Sequence, residues 1–161
     1  MKRFGGVLVG VLVGQALLGQ SVHVLKYEAL ADTLAHSQAR VLVVNFWATW
    51  CKPCLAELPH FARVVNANES KGVAGLFVTL DWAENLETAV KPYLAKKPLP
   101  GTVVLLDEVD GNRWLGKVAE AWTGAIPATA FYGPGGTLLK FHEGALTEAE
   151  LEQIVAELLA P

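Results

Sequence analysis

Cysteine, histidine and charge are all scarce in this sequence. The 161-residue chain contains two cysteines and four histidines, and charged residues make up 18% of it. Its net charge of -3 gives no basic surface for nucleic acid, so we expect small molecules or proteins as partners. The length is enough for one domain that buries a core without support from disulfide bonds. The two cysteines therefore need an explanation other than a disulfide framework.

The longest apolar run lies at the start of the chain. Lys2 and Arg3 precede an apolar stretch over residues 4–19, which is typical of an export signal. Because this stretch is shorter than the roughly 20 residues that span a bilayer, a cleaved signal peptide and a retained membrane anchor over residues 1–21 both stay open. No cysteine lies there for lipid attachment. We expect an exported protein, periplasmic or otherwise extracytoplasmic, soluble after cleavage or anchored by this segment, with one domain over residues 22–161.

The two cysteines, Cys51 and Cys54, lie three positions apart. A structural disulfide stabilises a protein mainly by restricting its unfolded chain. Across so short a loop this would stabilise the folded state by only about 2 kcal/mol, less than a longer loop gives. A zinc site needs about four ligands, and His60 is the only histidine near the pair in sequence. A redox-active dithiol is the third interpretation. The residues around the pair favour it.

Those residues predict a strand followed by a helix. Residues 41–47 form a continuous apolar run rich in β-branched and aromatic side chains, which indicates a strand buried on both faces. Apolar residues then recur at helical spacing: Leu55, Leu58, Ala62 and Val65. Because Pro53 is tolerated in a first helical turn, we expect Cys51 at the helix N-terminus, where the helix dipole stabilises a thiolate. Cys54, one turn further, is more shielded and can resolve a mixed disulfide.

The rest of the chain continues to alternate between strands and helices. The predicted elements are a strand over 75–80, a helix over 83–96, an extended segment over 102–106, a short helix over 113–122, and a hairpin of antiparallel strands over 128–132 and 137–142. Thr147 and Glu150 form a capping box that opens a C-terminal helix. Three tryptophans are expected in the core: Trp47, Trp114 and Trp122. The alternation predicts the α/β class.

Residues 45–54, which read Asn-Phe-Trp-Ala-Thr-Trp-Cys-Lys-Pro-Cys, resemble the active-site segment of the TlpA/ResA-like branch of the thioredoxin superfamily. Pro59 matches the proline that bends the active-site helix in this superfamily. The resemblance covers roughly residues 22–161. It implies a thioredoxin fold, with a central mixed β-sheet flanked by helices and a strand-and-helix insertion over about residues 81–122.

The resemblance also implies site residues outside the cysteine pair. Glu57 matches an acidic residue that relatives carry near the buried cysteine, where a carboxylate raises the pKa of the thiol and can move a proton. From its position alone, a solvent-exposed helix carboxylate is equally open. Asn45 stands where cytosolic thioredoxins have a buried aspartate. Pro127 matches the cis-proline of the superfamily, so the backbone of Ile126 would pair with a substrate strand. The expected substrate-binding residues are Trp50, Lys52, Pro53, Ile126 and Pro127.

The function that the resemblance implies is that of an exported thiol:disulfide oxidoreductase, which uses the Cys51–Cys54 dithiol without a metal or organic cofactor. TlpA/ResA-like proteins commonly keep apocytochrome c cysteines reduced. We therefore expect a protein-disulfide reductase in cytochrome c maturation, with electrons from a membrane relay protein. The opposite activity, that of a disulfide-forming oxidase, stays open. A 30 mV change in the reduction potential of a two-electron couple corresponds to only about 1.4 kcal/mol, which is less than one residue can alter.

Two alternatives come from other classes of protein. A peroxide-reducing peroxiredoxin would normally carry a threonine three positions before its attacking cysteine, where this chain has Ala48. A metal-binding module on the same fold is the other alternative, and His142 is a conceivable copper ligand beside the cysteine pair. Copper chaperones of the superfamily, however, space their two cysteines more widely. Neither alternative is favoured over the oxidoreductase.

Overall fold

The apolar runs of the sequence become the strands of one six-stranded sheet. The computed structural model describes residues 19–161, so most of the predicted signal or anchor segment (residues 1–21) lies outside the described residues. In chain order the elements are β1 (Val22–Leu25), α1 (Tyr27–Ala35), β2 (Val41–Trp47), α2 (Lys52–Asn68), β3 (Val73–Thr79), α3 (Lys91–Lys96), β4 (Thr102–Leu106), α4 (Leu115–Val118), β5 (Ala128–Tyr132), β6 (Leu138–Glu143) and α5 (Glu148–Leu159).

The sheet is mixed, as the resemblance implied. Its strand order is β1-β4-β3-β2-β5-β6, with the first four strands parallel and β5 and β6 antiparallel to their neighbours. All seven residues of β2 are buried, so the prediction of a strand covered on both faces is confirmed. Strand β4, from the predicted insertion, lies inside the sheet between β1 and β3. The insertion therefore widens the central sheet.

Two apolar cores lie on opposite faces of the sheet, because neighbouring residues of a strand point to opposite sides. Trp47 faces the core that contains residues of α2, α3 and α5. Phe46 faces the other core, which contains residues of α1 and α4, and its ring centroid lies 4.6 Å from that of Trp122. Trp47, Trp114 and Trp122 are all buried, so the prediction of three core tryptophans is confirmed.

Two predicted helices differ from those in the structure. The stretch 83–96 is divided into a 3₁₀ turn (Ala83–Asn85), a π-helical turn (Leu86–Val90) and α3. Pro92 explains the interruption, since proline lacks the N–H of a regular helix and its ring crowds the carbonyl four residues earlier. The helix predicted over 113–122 is shortened to α4, because the backbone is already extended at Ala119.

Strand β1 and helix α1 were not predicted. Strand β1 has four residues, none of them fully buried, so it carries little of the pattern that marks a strand. Helix α1 starts without a capping side chain, although its buried residues do recur at helical spacing. Those residues are Tyr27, Leu30 and Leu34. Among residues 19–161, no helix combines the length and apolar character that crossing a bilayer requires.

The predicted capping box opens α5 and should contribute to stability. The Oγ1 atom of Thr147 accepts a hydrogen bond from the Glu150 N–H at 3.3 Å, and a Glu150 carboxylate oxygen accepts one from the Thr147 N–H at 2.8 Å. We expect Thr147→Ala to lower the free energy of unfolding by about 1 kcal/mol in urea denaturation, because the Glu150 N–H loses its side-chain acceptor.

Thr33→Ala is the matched control for this substitution. Thr33 is exposed within α1, and its hydroxyl donates only to the Ala29 carbonyl of its own helix. Alanine favours a helix interior, so this variant should keep or gain stability. Equal losses in the two variants would show that the capping box is not the cause.

Candidate active site: a disulfide at a helix N-terminus

Cys51 and Cys54 form a disulfide where β2 runs into α2, with 1.98 Å between the two sulfurs. Cys51 is the N-cap residue of α2, as its predicted place at the helix start requires, and its Sγ accepts a hydrogen bond from the Cys54 N–H at 3.3 Å. Cys51 is 5% exposed and Cys54 is completely buried. Of the two cysteines, only Cys51 exposes any surface to a partner molecule, and the helix N-terminus favours negative charge on its sulfur.

The Ile126–Pro127 segment lies directly against the disulfide. The peptide bond between these two residues is cis, as the resemblance implied. The carbonyl oxygen of Ile126 lies 3.8 Å from Cys51 Sγ, although the two residues are 75 positions apart in the chain. Ile126 is half-buried, and Pro127 is buried directly before β5. The structure thus brings together the two segments that the sequence singled out.

The other predicted substrate-binding residues are all exposed beside Cys51. Trp50 has 62% of its surface exposed, which is unusual for so large an apolar side chain. Lys52 and Pro53 are exposed in the first turn of α2. The reachable sulfur is therefore bordered by an aromatic ring, a positive charge and a proline. Their part in substrate binding stays a prediction.

Glu57 is buried beneath this surface and is not a solvent-exposed helix carboxylate. It is 2% exposed. One carboxylate oxygen accepts a hydrogen bond from Asn45 Nδ2 at 2.9 Å, and the other accepts one from the Leu146 N–H at 2.8 Å. Loss of hydration raises the pKa of Glu57 from its ordinary value to about 7, while the two hydrogen bonds oppose this shift. Glu57 can therefore gain or lose a proton near neutral pH.

Asn45 connects Glu57 to the strand that follows the cis-proline. Its Nδ2 atom also donates to Thr129 Oγ1 at 3.3 Å, while its Oδ1 atom is buried and lacks a hydrogen-bond partner among residues 19–161. An amide offers both a donor and an acceptor. A half-turn of the Asn45 side chain would let it accept a hydrogen bond from protonated Glu57. Asn45 is therefore suited to contact Glu57 in either protonation state.

Asp81 is a second buried carboxylate, and its contacts were not predicted. It is 2% exposed and lies just beyond the end of β3. It accepts hydrogen bonds from the Thr49 N–H at 2.9 Å, from Thr49 Oγ1 at 2.6 Å and from Thr79 Oγ1 at 2.5 Å. We call the two hydrogen bonds between Asp81 and Thr49 the Asp81–Thr49 bridge. This bridge holds the segment that leads into Cys51. Asp81 was not among the site residues predicted from the sequence.

Possible metal ligands are not gathered at this site. Within residues 19–161, no group of three or more histidine, cysteine, aspartate or glutamate side chains is close enough to hold a metal ion. His142 lies on β6, with its Cα opposite that of Thr129. Its suggested contribution to copper binding has no supporting contact in the described part of the chain.

A cis-proline beside a two-cysteine helix start, on a mixed sheet, is the arrangement of the thioredoxin class that the sequence resembles. Among known families, the chain belongs to the AhpC/TSA family, whose model matches residues 26–141. The matched region runs from the start of α1 into β6 and so includes both cysteines and the cis-proline. The family assignment therefore rests on most of the folded chain, including the candidate site.

Individual relatives have names that agree with this class. The thiol-disulfide oxidoreductase ResA of Oceanobacillus iheyensis is 32% identical over 121 residues, which are 74% of this chain but only 57% of that ResA. The thioredoxin-like protein YneN of Bacillus subtilis is 28% identical over 90% of this chain and 79% of its own length. A crystal structure of a thiol:disulfide interchange protein of the thioredoxin family from Chlorobium tepidum is 26% identical, with a TM-score of 0.60 over 81% of this chain and 85% of that one.

The raised pKa of Glu57 should make the stability of the oxidised protein depend on pH. In the folded state Glu57 keeps its proton up to about pH 7, whereas in the unfolded state its pKa has the ordinary value of 4.5. Between these two pH values the folded state therefore binds more protons than the unfolded state. We expect the free energy of unfolding to fall as the pH rises from about 4.5 to about 7, by up to about 3 kcal/mol from this group. Urea denaturation at a series of pH values measures the slope.

Glu57→Gln removes the ionisable group and should flatten this slope. Glu152→Gln is the matched control, because Glu152 is an exposed carboxyl on α5 and its replacement should leave the slope as it is in the wild type. An unchanged slope in Glu57→Gln would show that Glu57 does not hold a proton in the folded protein at pH 4.5 to 7.

Proposed function

We propose that the protein is a thiol:disulfide oxidoreductase whose working group is the Cys51–Cys54 pair. The observation that carries this proposal is the arrangement of the two sulfurs, one reachable at the start of α2 and the other completely buried behind it. The cis-Pro127 beside the reachable sulfur and the names of the relatives support the same function. No cofactor is needed, because the reduced Cys51/Cys54 dithiol itself supplies two electrons and becomes the disulfide when it gives them up.

The difference in exposure between the two cysteines supports an order of attack in the reducing direction. The Cys51 thiolate attacks one sulfur of a substrate disulfide, forms a mixed disulfide and releases the other substrate sulfur as a thiolate. Cys54 then attacks Cys51 Sγ, which releases the second substrate sulfur and leaves the protein oxidised. The substrate gains two electrons. The Cys54 N–H, which donates to Cys51 Sγ, supports the anionic form of the first cysteine.

Glu57 is our candidate for the proton acceptor in the second step. It follows Cys54 by three positions in α2, so the two side chains share one face of the helix. A carboxyl with a pKa of about 7 can take a proton and return it at neutral pH. We propose that it receives the proton of the Cys54 thiol as that sulfur becomes a nucleophile.

We further propose the reducing direction and a place in cytochrome c maturation, as the TlpA/ResA resemblance implies. The substrate would be an apocytochrome c disulfide, and a membrane relay protein would supply the electrons. Export is proposed from the sequence: Lys2 and Arg3 followed by the apolar stretch over residues 4–19. Reduction of peroxide has less support, because Ala48 provides no hydroxyl where a peroxiredoxin would normally carry a threonine.

The midpoint potential of the Cys51/Cys54 couple distinguishes the two directions of electron flow. Equilibrating the full chain with defined thiol buffers and counting free thiols measures this potential. We expect a value near that of thioredoxin, about -270 mV, which would make the protein a reductase that depends on a supply of electrons. A value near about -120 mV would make it an oxidase and would contradict the proposed place in cytochrome c maturation.

Replacing each cysteine separately tests the order of attack. We expect Cys51→Ser to abolish reduction of a disulfide-bonded peptide, because the reachable nucleophile is lost. Cys54→Ser should instead accumulate a mixed disulfide with the peptide, visible as a mass increase that a thiol reductant removes. If Cys54→Ser trapped nothing while Cys51→Ser did, the order assigned to the two sulfurs would be wrong.

A further inference from the structure

Three exposed apolar side chains lie at one edge of the sheet. Among residues 19–161, six large apolar side chains are exposed: Val24, Trp50, Trp82, Val109, Leu138 and Leu139. Trp50, Trp82 and Val109 each follow the last residue of a strand by three positions, after β2, β3 and β4 respectively. Because these strands are parallel neighbours, their carboxyl ends meet at the same edge of the sheet. That edge also carries Cys51.

The Asp81–Thr49 bridge holds the two tryptophans near each other. Trp50 directly follows Thr49, and Trp82 directly follows Asp81. The 2.9 Å hydrogen bond between Thr49 N and Asp81 Oδ2, with standard bond lengths, keeps the Cα atoms of the two tryptophans at most about 16 Å apart. An extended segment of about five residues has that length. A single polypeptide segment can therefore contact Trp50 and Trp82 at once.

Packing among residues 19–161 explains neither tryptophan. Trp50 is 62% exposed and Trp82 is 59% exposed, whereas Trp47, Trp114 and Trp122 are buried. An exposed indole leaves a large apolar area in water. Tryptophan, with tyrosine and arginine, is enriched among the residues that contribute most to binding at protein interfaces. Both side chains are therefore candidates for contact with a partner.

We propose that Trp50 and Trp82 form a contact surface for an extended polypeptide segment that carries the substrate disulfide, with apolar rather than acidic side chains beside its cysteine. This inference rests on the proposed function and adds the substrate class. The surface is continuous with the reacting sulfur, since Trp50 directly precedes Cys51 in the chain. A substrate held at Cys51 therefore lies within reach of both indoles.

The small size of the cavity beside Trp82 favours a polypeptide over a small-molecule disulfide as the ligand. Trp82 and Val109 line a cavity of about 100 Å³ between the ends of β3 and β4. Sites for whole small molecules occupy about 300–1,000 Å³, so this cavity is suited to one side chain of a longer ligand. Its other lining residues are Leu80, Asp81, Leu106, Asp107 and Glu108.

The charge of the same cavity disfavours acidic side chains. Three of its lining residues are carboxylates, and no lysine or arginine is among the described residues that line it. Lys26 pairs with Asp107 from outside the lining and offsets one of these charges. The remaining carboxylates repel an acidic side chain, because like charges brought together across an interface are unfavourable.

Two synthetic peptides test this surface. Both have ten residues and the same internal disulfide. One peptide carries two leucines beside one of its cysteines, and the other carries two glutamates at the same positions. The measured quantity is the second-order rate constant for oxidation of the pre-reduced, full-length protein by each peptide. Samples are quenched with acid at successive times, and the remaining free thiols are counted. We expect the wild type to react at least tenfold faster with the leucine peptide. Trp82→Ala should reduce this ratio at least fivefold, and Trp82→Phe should keep most of it.

Leu139→Ala is the matched control, because Leu139 is an exposed apolar residue on the edge strand β6. It should keep the wild-type ratio. If Trp82→Ala gave the same ratio as Leu139→Ala while the wild type reduced both peptides, this inference would be overturned and the proposed function would stand. A reduced wild type that reacts with neither peptide would overturn the proposed function, and this inference with it.

Discussion

The burial of β2 on both faces is the constraint on which the candidate site depends. This strand lies between β3 and β5, and every one of its residues is buried, so its path is fixed along its whole length. The chain leaves the strand at Trp47 and reaches Cys51 four residues later, at the start of α2. Because both neighbours of the strand are also fixed, Asp81 after β3 and Pro127 before β5 are brought to the same place. The reactive sulfur is thus positioned by the core.

Two carboxylates are buried in this otherwise apolar region, and burying a charge is costly unless it is compensated. The two residues are compensated differently. Asp81 accepts three hydrogen bonds, from an N–H and two hydroxyls, and serves to fix the backbone. Glu57 accepts one hydrogen bond at each oxygen, which leaves the effect of lost hydration dominant and its pKa near neutral. The same chemical group is therefore structural in one position and able to exchange protons in the other.

The parts of the fold that could be predicted are those whose signals are local. The apolar run over residues 41–47 and the spacing that follows Cys54 are sufficient for β2 and α2. The Asp81–Thr49 bridge joins residues 32 positions apart, and no short-range pattern indicates which loops meet. The burial of Glu57 depends on a backbone N–H from residue 146, near the C-terminus, so its sequence position left two interpretations open. The cis conformation before Pro127 was available only through the family resemblance.

Strand β4 adds a loop to the edge that carries the cysteines, without contributing to the cysteine motif or to the buried network around Glu57. The proposed contact surface thus joins Trp50, beside the cysteine motif, to Trp82 and the loop after β4, which lie in a separate stretch of the chain. If the proposed contact surface is correct, substitutions between residues 82 and 110 will change which polypeptides react with Cys51 while the cysteine motif and the contacts of Glu57 stay the same. The inserted segment is then the part of the chain in which substrate preference can diverge between relatives without any change at the two cysteines.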